Sequence, residues 1–247
     1  MNKHSYFTLR GIKAWDYKDF TLPSYIKRFL TDPEIRVLDI GCGYGQFLQA
    51  MKDHGLKNLR GIDVDEEAVA CCRDKGLSVE KIDDINRFSE MEKGSFDLIL
   101  MNHILEHIEK GNIIPTLKSV REMLSPGGKL FISVPNAQSP TGCYWAFEDF
   151  THTTIFTAGS LLYVLRAAGF DQMDLVDPLC LDGLPRWKRI IKRPMLSLYS
   201  LVKNLINIVA GSSYHKPSPR VWSYEVKMTA WVESPQGNLH GGCKRRE

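Results

Sequence analysis

The stretch Val37-Leu38-Asp39-Ile40-Gly41-Cys42-Gly43-Tyr44-Gly45 constrains this chain more than any other. A short β-rich run, Ile35 to Ile40, enters a turn with three glycines in five positions, and a helical pattern from Gln46 to Asp53 leaves it. Glycines there let the backbone turn sharply and approach a ligand closely. Such a loop also occurs as a plain tight turn, so its flanks must decide. From Ile35 onward, apolar runs alternate with helical patterns, which predicts a parallel sheet built from βαβ units. Strands are expected at Leu59 to Val64, Leu77 to Ile82, Phe96 to Met101, Lys129 to Val134 and Gln172 to Val176. Helices are expected at Glu66 to Lys75, Ile113 to Leu124 and Thr157 to Ala168. The Ser125-Pro126-Gly127-Gly128 run reads as a turn, and Pro135 to Phe156 as an irregular loop. Trp222 to Val232 alternates polar with apolar residues and reads as a last strand.

Acidic residues mark the ends of the first three strands. Asp39 lies two residues before the first glycine, where a carboxylate can organise the loop or meet a cationic ligand. Asp63 ends the second strand, where an acidic side chain accepts hydrogen bonds from ribose hydroxyls. Asp83 and Asp84 follow the third. A dinucleotide fingerprint would need glycine at position 46, which is Gln46. That disfavours a nicotinamide dehydrogenase. Three acidic strand ends suit an adenosine ligand carrying positive charge better than one carrying a pyrophosphate.

Taken with Phe96-Asp97-Leu98-Ile99-Leu100, Leu105-Glu106-His107-Ile108 and Leu124-Ser125-Pro126-Gly127-Gly128, these motifs closely resemble the class I S-adenosylmethionine-dependent methyltransferases over about residues 35–169. The resemblance implies an α/β, Rossmann-like, seven-stranded and mostly parallel sheet with an antiparallel last strand and helices on both faces. It implies S-adenosyl-L-methionine as cofactor. Gly41, Cys42, Gly43 and Gly45 would line its methionine part, Asp63 would hold the ribose, Val64 would flank the adenine, Asp83 and its neighbour Asp84 would face the adenine amino group, and Asn102 would lie near the sulfonium.

Methyl transfer from an activated sulfonium asks an enzyme mainly for alignment and, with a hydroxyl acceptor, for proton removal. Candidate bases are His103 and His107 after the fourth strand, beside Glu106, and His152 with Asp149 in the loop after the fifth. His152 is the leading candidate and Asp149 the carboxylate expected to orient it. The run Ser133-Val134-Pro135-Asn136, Ser139-Pro140 and Asp149-Phe150-Thr151-His152 resembles bacterial surface-polysaccharide and sugar O-methyltransferases, and less closely the quinone-biosynthesis O-methyltransferases. A sugar or glycan hydroxyl is therefore the first expectation for the acceptor. A quinone or other small molecule is the alternative, and a non-catalytic cofactor-binding subunit is a reading of another class. No dense metal-ligand spacing is present, and no metal is expected, although some sugar methyltransferases of the class the chain resembles use magnesium.

Four regions result: an aromatic-rich arm over 1–34, the catalytic domain over 35–178 and 219–234, a basic amphipathic helical insert over 179–218, and a tail over 235–247. From Gly183 to Tyr224 there is no acidic residue, and Met195 to Ala210 carries a narrow polar stripe on an otherwise apolar helix. The insert could dock on its own domain, meet a membrane surface or lipid-linked acceptor through 183–220, or join two copies in a homodimer. Aromatics are not interleaved with the positive charges, so nucleic acid is not expected. A net charge of +3 does not argue otherwise. No apolar run reaches the length of a membrane span, and Met1 to Gly11 has no secretory pattern. The six cysteines are accordingly expected as reduced thiols in a cytoplasmic protein, which could sit peripherally at the inner face of the membrane.

Overall fold

A computed structural model describes residues 5–17, 20–212 and 218–233. The chain begins with the short helices α1 (Tyr6–Arg10) and α2 (Ser24–Lys27). Then β1 (Arg36–Ile40), α3 (Gln46–Asp53), β2 (Asn58–Asp63), α4 (Glu66–Asp74), β3 (Val79–Lys81), α5 (Ile85–Met91), β4 (Phe96–Asn102), α6 (Ile113–Met123) and β5 (Leu124–Pro135) follow in strict alternation. After β5 come α7 (Gly142–Glu148), α8 (Ala158–Ala167), β6 (Gln172–Leu175), α9 (Arg186–Val209) and β7 (Glu225–Trp231). The strands form one seven-stranded sheet in the order β3-β2-β1-β4-β5-β7-β6. All neighbours pair in parallel except β7, which runs antiparallel to both β5 and β6.

Strand periodicity explains why helices cover both faces. Leu38, Ile99, Met101, Leu130 and Ile132 point to one side, where they pack with Phe88 of α5, Leu117 of α6 and Leu161 of α8. Val37, Leu98, Leu100 and Phe131 point to the other, against Ile26 of α2, Leu48 and Met51 of α3 and Val69 of α4. Successive residues of a strand alternate faces, so a strand central to two layers must be apolar throughout. The order reverses direction between β1 and β4, which opens a crevice beyond the carboxyl ends of these strands.

Several expectations change. Ser125 to Gly128 is no turn between elements: β5 runs through it, pairing Leu124 with Phe96 and then Lys129 with Leu98 across a register break. Gly127 takes the left-handed conformation that permits the bulge, at φ +79°. The stretch after β5 contains α7, and α5 appears where no helix was expected. The insert helix starts at Arg186, ahead of the expected Met195, with Pro194 inside it. The last strand starts at Glu225 instead of Trp222. The buried Asn136 amide donates to the carbonyls of Val221 and Ser223, holding them out of the ladder. Cys42, Cys71, Cys72, Cys143 and Cys180 are free thiols; Cys243 and the proposed tail lie outside the described residues.

Candidate functional site

At the crevice, the loop after β1 is tied to β2. Asp63 accepts from the Gly43 N–H at 2.8 Å with one carboxylate oxygen and from the Asp65 N–H at 2.8 Å with the other. Asp39 is buried, and burial, with Asp63 and Cys72 nearby, pushes its carboxyl pKa well up. A cationic ligand would reverse that. Gly41, at φ +68°, has no room for a side chain, since a Cβ there would lie 1.9 Å from the Ile104 side chain. Val64 is 66% exposed and gives the rim an apolar surface. The Asn102 amide nitrogen is buried without a partner.

The Asp84 carboxylate caps α5 with one oxygen, accepting from the N–H groups of Asn86 and Arg87, and its other oxygen and Asp83 are the exposed acceptors after β3. Cys42 turns its side chain into the core between the sheet and α3, leaving only its backbone in the loop.

The amino-terminal arm reaches this rim. Ser5 and the Tyr6 N–H donate to Asp65, and the Phe7 ring stacks near Tyr44 with centroids 4.5 Å apart. Across the crevice the Tyr6 hydroxyl donates to Asp149, which also pairs with Arg10 at 2.6 Å. Thus α1 bridges acidic groups following β2 and β5. Burial alone would raise the Asp149 pKa, but the hydrogen bonds from Tyr6 and Thr151 and the charge of Arg10 hold it below the usual carboxylate range. Sequence reasoning assigned neither Asp65 nor the arm to the site.

The histidines separate into two kinds. His103 lies between Glu106 and Glu225, with its ring nitrogens 3.2 and 2.7 Å from their oxygens. Desolvation opposes its charge, but the two carboxylates outweigh it and raise its pKa to about 10. A doubly paired imidazolium has no lone pair, so His103 is no base at neutral pH. Its φ of +54° is an unusual conformation for a residue with a side chain. Glu225 continues the chain to Lys227 at 2.6 Å.

By contrast, the His152 Nδ1–H donates to the Trp145 carbonyl at 2.9 Å, which leaves Nε2 unprotonated. His107 Nδ1 lies 2.8 Å from Thr151 Oγ1, whose own proton goes to Asp149. His107 therefore donates through Nδ1 and also keeps an Nε2 lone pair; burial pushes its pKa down. The two rings lie 4.8 Å apart. Asp149 was expected to orient His152. It orients His107 instead, through Thr151.

Comparison with known proteins now bears on the site. A protein-family profile described as a methyltransferase domain matches residues 15–174. That is most of the chain, and it spans every strand up to β5 with the glycine loop. The chain belongs to the class I S-adenosylmethionine-dependent methyltransferases. This methyltransferase is 31% identical over 117 residues to a protein named ubiquinone biosynthesis O-methyltransferase from Xanthomonas axonopodis pv. citri, covering 45% of this chain and 48% of that one. It is 33% identical over 106 residues to the protein of the same name from Idiomarina loihiensis, covering 41% and 42%. The chain thus spans about half the length of the curated relatives it matches. Among solved structures, a SAM-dependent methyltransferase from Archaeoglobus fulgidus superposes with a TM-score of 0.62 at 19% identity, covering 91% of this chain and 99% of that one. Phosphoethanolamine N-methyltransferase 2 of Haemonchus contortus, solved with S-adenosyl-L-methionine, gives 0.58 at 18%, covering 90% and 56%.

The cofactor of this methyltransferase is S-adenosyl-L-methionine, and the crevice fits it. A buried unpaired amide at Asn102 and the buried carboxyl of Asp39 are groups that a polar, cationic adenosine ligand would satisfy. Asp63→Ala should weaken binding of the cofactor by about 10- to 150-fold, the loss of a charged hydrogen-bonding group worth roughly 1.5–3 kcal/mol. Calorimetry with circular dichroism checks this; native dichroism with unchanged affinity would remove Asp63 from the site.

Proposed function

We propose that this methyltransferase transfers the methyl group to a hydroxyl of a small aromatic acceptor of the quinol or phenol type. The observation that carries the reading is the pair of Nε2 lone pairs on His107 and His152, beside the carboxyl ends of β4 and β5. An alcohol is a poor nucleophile until its proton is leaving, and these atoms are positioned to accept one. His152 is the leading base. The relatives' printed name supports a quinol over the sugar hydroxyl that the loop motif suggested. Labelled cofactor offered to catechols and quinols, and in parallel to nucleotide sugars, tests the reading. Label in the sugars alone overturns the acceptor class, and label in neither favours the non-catalytic subunit.

The acceptor reading extends to where the protein works. No residue of α9 is buried. Of its polar stripe, Ser200, Lys203, Asn204 and Asn207 share the half-covered edge with Leu196 and Tyr199 while Ser197 is exposed, and Met195, Leu198, Leu205 and Ile208 are exposed. Most of the large apolar side chains of this helix thus stay uncovered, which self-docking alone does not account for. Arg186, Lys188, Arg189 and Arg193 supply positive charge at its amino-terminal end, and no acidic residue lies between Gly183 and Tyr224. Such a helix suits an anionic lipid surface, where basic residues meet head groups and apolar ones enter the interface. No helix among the described residues is long and apolar enough to cross a membrane. The protein should sediment with anionic vesicles at low salt, less so at high salt, and hardly at all as the double variant Leu198→Glu/Leu205→Glu. Failure to bind, with a concentration-dependent increase in mass, would assign the face to a homodimer.

A further inference from the structure

We propose that the methyl acceptor carries an anionic group, a carboxylate or a phosphate, and that a cavity beside the methyl-transfer position holds it. The cavity has a volume of about 660 Å³ and is walled by α2, the segment leading into α9, and Lys227 of β7. Among the described residues four cations line it, Lys27, Arg189, Lys192 and Lys227, against two carboxylates, Asp177 and Asp182. Both carboxylates are engaged by the chain itself. Asp177 accepts from the N–H groups of Leu181 and Asp182, and Asp182 accepts from the N–H and the hydroxyl of Ser24.

The cations are less fully engaged. Arg189 donates to the Leu184 carbonyl through Nε, and its two Nη groups make no hydrogen bond among the described residues. That is the half of a guanidinium that can grip an oxyanion with two parallel bonds. Lys192 gives one of its three donors to the Cys180 carbonyl, and Lys227 pairs with Glu225. Burial raises the pKa values of Tyr25 and Tyr224, which also line the cavity, so both hydroxyls keep a proton to donate. An oxyanion is the ligand such a lining satisfies.

The register of the sheet places the cavity. Asn102 of β4 pairs with Ser133 of β5, and Ser133 with Lys227 of β7. Side chains of directly paired residues share a face, so these three form one row across the sheet. Leu100 and Phe131, two positions before Asn102 and Ser133, put that row on the face covered by α2 and α3. Lys227 is therefore two strand spacings, about 10 Å in main-chain separation, from the unpartnered amide of Asn102. Two contacts lead from the cavity to the histidines. Glu225 bridges Lys227 and the His103 ring at 2.6 and 2.7 Å. The Tyr224 ring lies 6.0 Å from that of Trp145, whose carbonyl holds His152. One small molecule can thus present a hydroxyl to His152 and a negative charge to the cavity.

The inference rests on the hydroxyl-acceptor reading and narrows it to acceptors that also carry an acid. Binding can be tested without turnover. By calorimetry, protein loaded with S-adenosylhomocysteine should bind 3,4-dihydroxybenzoate about 10- to 100-fold more tightly than catechol, which lacks the carboxylate. Lys192→Gln and Arg189→Gln should each reduce that preference, and the double variant should abolish it with circular dichroism unchanged. In turnover the same preference should appear in KM more than in kcat. Equal affinity for the two compounds, or a preference unaltered in the double variant, overturns the site. Binding of glycerol phosphate at these residues, with no preference between the two catechols, assigns the cations to a lipid head group and overturns the charged acceptor. A preference that follows the variants while neither compound is methylated upholds the anion site and rejects the hydroxyl-acceptor reading instead.

Discussion

His152→Ala should lower kcat by about 10²–10⁴-fold while leaving the fold and the affinity for S-adenosyl-L-methionine unchanged. The ring is partly exposed and held by one bond to a main-chain carbonyl, so its removal disturbs no core contact. The cofactor groups lie at the ends of β1 to β4, whereas His152 lies on the segment after α7. What disappears is the Nε2 lone pair that takes the proton. A raised KM with kcat intact would mean that the segment only shapes the pocket. His103→Ala should behave differently, because an imidazolium clamped between two carboxylates cannot accept a proton.

Glu225→Leu should destabilise the domain by about 3–5 kcal/mol, the usual cost of removing one partner from a buried ion pair. Glu225 is the shared anion of two cations, His103 on one oxygen and Lys227 on the other, and Lys227 is buried in a strand that lies between two others. Without it, two positive charges face each other across a poorly solvated space. A domain of this size has a stability of about 5–15 kcal/mol, so the loss should lower Tm by roughly 6–20 °C. The pH dependence provides a second measurement. Burial opposes the Glu225 charge, but the His103 hydrogen bond and the charges of His103 and Lys227 lower its pKa from 4.5 to about 2. Its contribution to stability is thus full above about pH 4.5 and is lost as the pH falls toward 2. His103 runs in the opposite sense: raised from 6.5 to about 10, it contributes fully below about pH 6.5, and the contribution is lost as the pH rises toward 10. Thermal melts across both windows should therefore slope down at each end in the wild type and flatten in the variant. Equal Tm values for the two proteins would show that the triad carries no stability.

Glu225 and Lys227 also show where pattern reading stopped. In sequence they alternate with Val226 and Met228, which reads as a strand with one wet face. The strand is paired on both sides, and five of its seven residues from Glu225 to Thr229 alternate in type while all are buried. Nothing local distinguishes a solvated charge from one that is buried and paired. Similarly, the polar stripe on α9 was visible from its spacing, but which face meets the domain was not, because burial depends on what lies beside a helix.

The alternation of strand and helix, the glycine loop after β1 and the acidic ends of β1 and β2 were determined by the sequence itself. Each depends on neighbours a few residues apart: side-chain period, the backbone freedom of Gly41, the reach of Asp63 to a loop that β1 places next to it. Only the tertiary structure decided what the histidines can do. His103, His107 and His152 share one side chain and one intrinsic chemistry. Two carboxylates from β7 and the turn after β4 make the first a cation, while Thr151 and the Trp145 carbonyl leave the other two with lone pairs. Protonation is governed by charges and hydrogen-bond partners a few ångströms away, and those partners come from residues up to 122 positions distant in the chain.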